Sequence, residues 1–82
     1  MNAVKGLIVK AVAGRDNGKY FVILEADSKF CLIADGKIAA PKRKSIKHLR
    51  FTENVIDLND ITDKKLRRVL SEYSQTLNRI GG

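Results

Sequence analysis

With 82 residues, the chain has room for one domain built on a single small core. An apolar fraction of 44% argues against a disordered polyelectrolyte, and no apolar run reaches the roughly 18–20 residues that span a bilayer. Sixteen Lys and Arg against nine Asp and Glu leave a formal charge of +7, which favours a polyanionic partner, nucleic acid ahead of an anionic membrane surface.

The first apolar segment, "GLIVKAV" from Gly6 to Val12, is interrupted by Lys10 and reads as a strand, not as a secretory leader. Cys31 is the single cysteine, so the chain has no internal disulfide and no thiolate metal cluster; a reducing, cytoplasmic setting is the expectation. "KYFVILE" (Lys19–Glu25) and "KFCLIAD" (Lys29–Asp35) have the same β-branched and aromatic character, and the latter ends in the turn dipeptide Asp35-Gly36. "KIAAP" reads as a brief continuation stopped by Pro41, which cannot donate to a ladder. "SIKHLRF" (Ser45–Phe51) alternates polar and apolar, which points Leu49 and Phe51 inward together, and "NVIDL" (Asn54–Leu58) is a fifth short strand.

After Asp60 the period changes. Leu66, Val69, Leu70, Tyr73, Leu77 and Ile80 recur at steps of three and four and predict a helix over residues 63–79. Thr62 suits its N-cap, Asp63 its first turn, and Gly81 a position past its end. The expected fold class is mainly β: four to five short strands curled into a small barrel (residues 1–58), with an amphipathic C-terminal helix (59–82) packed on the same domain.

Two segments carry candidate binding chemistry. In "VAGRDNGKYFVI", Asp16-Asn17-Gly18 is turn chemistry, and the segment reads either as a tight hairpin with solvated charges or as a loop tip where Arg15 and Lys19 flank amides offered to a phosphate. "PKRKSIKHLR", residues 41–50, is the densest charge cluster, with no acid among its residues. Lysines there could simply protect a sheet edge; they could also form a nucleic-acid surface, with Lys42, Arg43 and Lys44 foremost and Lys47 and Arg50 next. His48 suits hydrogen bonding or stacking; as a lone histidine it has no partners at metal-ligand spacing. Tyr20 follows Lys19 and is the candidate for base stacking, whereas Phe21, Phe30 and Phe51 read as core. With so few aromatics, recognition of the backbone and shape of structured RNA is favoured over sequence-specific reading of single strands. Lys64, Lys65, Arg67 and Arg68 lie off the apolar helical stripe, either solvated or widening the basic surface.

A strand, then "AGRDNGK", then "YFVI" resembles the KOW motif. The likeness continues through "FCLIADGKIAAPKRKSIKHLRFT", which is similar to the KOW domains of archaeal and eukaryotic large-subunit ribosomal proteins, and it covers residues 4 to about 55. The resemblance implies an SH3-like β-barrel that binds ribosomal or nascent RNA. Gly18 matches the motif's characteristic glycine, and Arg15, Lys19 and the basic run correspond to the RNA-facing loop and strand; Asn17, in the same loop, is a further candidate for RNA contact. The chain is shorter than most eukaryotic members and has no long basic tail, which suggests a small stand-alone, prokaryotic relative.

No arrangement of residues points to catalysis. The single His and Cys form no nucleophile pair, and "GKY" stands where a P-loop needs Gly-Lys-Ser/Thr. No metal or cofactor is expected. The sequence therefore leads to a non-catalytic RNA-binding protein of ribosomal or ribosome-associated type. The alternative is a protein-interaction module, docking a ribosomal or transcription protein on an edge or on the helix, and general DNA binding is a weaker third.

Overall fold

Three apolar runs separated by glycine- and aspartate-bearing turns form a meander: β1 (Leu7–Ala11), β2 (Tyr20–Ala26) and β3 (Phe30–Ala34). The computed structural model describes the backbone of residues 3–81 and the side chains of residues 3–76. β4 (Lys42–Ser45), a 3₁₀ turn (Ile46–His48), β5 (Leu49–Val55) and the helix α1 (Asp63–Gly81) complete it. The five strands make one antiparallel sheet in the order β4-β3-β2-β1-β5, so the fold is mainly β with one helix. β4 and β5 stand at its edges, joined by the 3₁₀ turn and not by ladder hydrogen bonds.

Both faces of the central strands are apolar, and each is buried differently. On one face Leu7, Val9, Ala11, Phe21, Ile23, Cys31, Ile33 and Leu49 are no more than 8% exposed, with Ile46 and Phe51 packed against them. α1 lies on the other face, where Leu66 and Leu70 meet Ile8, Val22 and Ala34. The first face is therefore covered by the sheet's own curl. Register shifts between Leu7 and Val9 and between Ile23 and Glu25 supply the local bends that such a curl needs.

Gly6 shows how tightly the start of β1 is held. It adopts φ +91°, donates to the Ile23 carbonyl at 2.8 Å and accepts from the Ile56 amide at 2.9 Å. A Cβ there would collide with the Ile56 carbonyl oxygen, so only glycine fits.

α1 begins where expected. Thr62 Oγ1 accepts from the Lys65 amide at 3.1 Å, and the Asp63 carboxylate accepts from the Ile38 amide at 3.0 Å, tying the β3–β4 connection to the first helical turn. The helix continues to Gly81, so Gly81 does not stand beyond its end; the Leu77 and Ile80 side chains lie outside the described residues. Among the described residues, no helix is long and apolar enough to cross a membrane.

The region after β3 departs from the sequence reading. Lys37–Ala40 form a turn closed by an Ala40 to Lys37 backbone hydrogen bond of 3.1 Å, not a strand continuation. The alternation of Ser45–Phe51 is split: Ser45 ends β4, Ile46–His48 turn, and a single strand from Leu49 to Val55 replaces the two expected over 45–51 and 54–58. A helical turn satisfies the same residues because Ile46 and Leu49, three apart, both reach the first cluster. Leu49 and Phe51 do share that side, as the alternation implied.

Leu66 is fully buried at the helix–sheet contact, whereas Val69 is half-buried and outside that cluster. Leu66→Ala is expected to cost about 2–5 kcal/mol in urea unfolding and Val69→Ala clearly less. Equal losses would show that α1 is not docked through Leu66.

Candidate nucleic-acid interface

The loop between β1 and β2 is ordered by its own backbone. Gly18 takes φ +93° and donates to the Ala11 carbonyl at 2.7 Å, Asn17 donates to Gly14 at 3.2 Å, and Lys19 donates to Asp16 at 2.9 Å. These three amides are thus engaged within the chain and are not the phosphate cradle that the loop's glycines suggested. The role of Gly18 is conformational, since the left-handed region disfavours other residues. The side chains of Arg15, Asn17 and Lys19 are all exposed at this tip and open to an anion.

Two further elements are drawn to the same tip. The Val12 amide donates to the His48 carbonyl at 2.9 Å, which holds the 3₁₀ turn beside the loop. From β4, Lys44 Nζ donates to the Ala13 carbonyl at 3.4 Å, and Lys42 Nζ donates to Asp16 Oδ1 at 3.2 Å. The Lys42 ammonium also lies over the buried Phe21 ring, with Nζ 5.7 Å from the centroid. Lys19, Lys42 and Lys44 therefore gather at one end of the sheet, with Arg15 exposed in the same loop and His48 exposed on the 3₁₀ turn held beside it.

Asp16 organises this group. It pairs with Lys42 at 3.2 Å and with Lys19 at 3.7 Å. The Lys42 hydrogen bond, aided by the positive field of Lys42, Lys19 and Lys44, holds the Asp16 carboxyl below its ordinary value against a smaller opposing effect of burial. The sequence reading missed Asp16 as a participant, treating it only as a turn residue.

The remaining candidates lie elsewhere. The pleat turns Arg43 to the opposite face from Lys42 and Lys44, where its guanidinium carbon sits 4.1 Å from the Phe30 ring centroid in a cleft shared with Glu25 and Asp27. Hydrogen bonds from the Lys29 and Phe30 amides, with a smaller contribution from Arg43, hold the Asp27 carboxyl below its ordinary value. Lys47 borders a separate cleft with Ser28, Lys29 and Ser45. Arg50 lies opposite Lys10 on the face that bears α1. Tyr20 is not an open stacking platform: helix cover half-buries it edge-on against Tyr73, ring centroids 5.4 Å apart. Phe21 is fully buried, and Phe30 and Phe51 are half-buried. Burial raises the Cys31 thiol pKa, in keeping with an inert core residue.

Lys10 is the residue that the sequence reading passed over. Its only sign was a charge interrupting an apolar run at an alternate position of β1. Among the described residues, no group of three or more His, Cys, Asp or Glu side chains could hold a metal ion. Comparison with protein-family models gives no match, and comparison with curated proteins gives none.

Because folding depresses the Asp16 pKa, its stabilisation is complete above the unfolded-state value of about 3.9 and is lost as pH falls through the folded-state value. Asp16→Asn is therefore expected to lower the stability read by urea unfolding at pH 7, by no more than about 1 kcal/mol for ion pairs whose lysines stand in water. The gap between variant and parent should close below about pH 4. A gap that persists at about pH 2.5, well under the ordinary carboxylate range, would show that the carboxylate's charge is not what holds the lysines.

Proposed function

We propose that the chain is a non-catalytic RNA-binding protein whose basic end, at the β1–β2 loop and the β4 lysines, grips the phosphate backbone of structured RNA. The observation that carries the reading is the convergence of Lys19, Lys42 and Lys44 around a single carboxylate, Asp16, with Arg15 exposed next to it in the same loop. Four cations against one acid leave a local excess of positive charge, and each phosphate neutralised there releases condensed counterions. The resemblance to KOW domains supports the same end of the molecule and suggests a ribosomal or ribosome-associated role in the cytoplasm.

The pleat refines which cations take part. Lys42 and Lys44 point to the loop, whereas Arg43 points away and is balanced by Asp27 and Glu25. Lys42→Glu with Lys44→Glu should reduce affinity for an A-form RNA hairpin sharply and lower the salt slope of log Kobs by about 1 for each phosphate no longer neutralised. Arg43→Glu alone should do much less. Filter binding or fluorescence anisotropy across a salt series reads both. Equal effects of the two changes, or affinity indifferent to salt, would overturn the assignment.

A further inference from the structure

Lys10 and Arg50 are direct partners across the β1–β5 ladder, and Lys10 is also the direct partner of Tyr20 across β1–β2. Directly opposed residues of antiparallel strands point to the same face, so the three side chains form one row on the side that bears α1. The Lys10 ammonium lies 5.7 Å from the Tyr20 ring centroid, and Tyr20 in turn abuts Tyr73. Lys10 is half-buried and Arg50 exposed.

Two like charges directly opposed in a ladder destabilise it. Elsewhere the molecule relieves such crowding with carboxylates, Asp16 for Lys19 and Lys42 and Glu72 for Arg68. Among the described residues, neither Lys10 nor Arg50 takes part in an ion pair, so no carboxylate offsets their mutual repulsion. We infer that Lys10 and Arg50 form a second anion site that takes a phosphodiester group, with the guanidinium offering a fork of donors and the ammonium a point charge.

The inference deepens the RNA-binding reading and rests on it for the phosphodiester. Its position favours a nucleic-acid chain over a protein carboxylate. Tyr20 adjoins Lys19 of the basic end, and beside both runs a cleft lined by Arg67, Ser71 and Ser74 from α1, with Asp35 the acid at its edge. A backbone held at Lys19 thus meets further cations and hydroxyls on the helix side, as a run of successive partners and not as one isolated group. The helix becomes a wall of the RNA surface as well as a cover for the core.

The test uses the full chain and the variants Lys10→Gln, Arg50→Gln and the double. Without ligand at low ionic strength, either single variant should raise the thermal midpoint, and the gain should vanish at high salt as screening removes the repulsion. Against an A-form RNA hairpin, the double variant should bind at least about tenfold more weakly, and its salt slope should fall by about 1 to 2. Titration with inorganic phosphate should move the Lys10 and Arg50 amide signals of the parent, and the double variant should not respond there. Parent-like RNA affinity in the double variant, while Lys42→Glu with Lys44→Glu abolishes binding, overturns the second site and leaves the RNA reading intact. If the parent ignores RNA but its Lys10 and Arg50 amides respond to phosphate, the anion site stands and the RNA reading falls. Tighter binding of polyglutamate than of RNA at equal salt, or single variants that melt below the parent, would overturn the phosphate assignment.

Discussion

The organising constraint is burial of both faces of a short central sheet by one small chain. β1 and β2 carry apolar side chains on each side of the pleat, so neither face can be left to water. α1 covers one face through Leu66 and Leu70, and the other is buried because the bulged strands curl over it, with Ile46 of the 3₁₀ turn helping to fill the gap. Such an arrangement takes most of the large apolar side chains of the central strands into the interior. The charges are left at strand ends, edges and turns and on the outer face of α1.

That constraint explains why the cations of the basic end meet although they are distant in sequence. The curl brings the β4 edge against the β1–β2 loop, and the bond from Val12 to the His48 carbonyl fixes the 3₁₀ turn there. Lys42 and Lys44 are then within reach of Asp16 and Ala13, and Asp16 offsets part of their repulsion without neutralising the group. A phosphate approaching this end competes with a carboxylate already in place, so the site combines a preset geometry with a remaining positive field.

Much of the fold was legible in the sequence for identifiable reasons. The first three strands fall within one residue of their expected limits at every end, because apolar runs bounded by Gly, Asp and Lys leave little choice. Thr62 marks the helix start by a local hydrogen bond, which sequence can encode directly. The stretch 45–51 was not legible: period-two alternation and the three-residue period of a 3₁₀ turn both bring Leu49 inward, and only long-range closure decides between them. In the site, the alternation that separates Arg43 from Lys42 and Lys44 follows once β4 is known to be a strand. The facing of Lys10 with Arg50, and of Tyr20 with Tyr73, depends on tertiary register and docking, about which local pattern is silent.

The most direct measurement is an amide NMR titration of the full chain with an A-form RNA hairpin, repeated at low and high salt. The account predicts shifts concentrated at Gly14–Lys19, Lys42, Lys44 and His48 that fade as salt rises. Shifts centred instead on the apolar cleft of Leu24, Leu32, Ile38, Leu58 and Ile61, or a response unaffected by ionic strength, would contradict it.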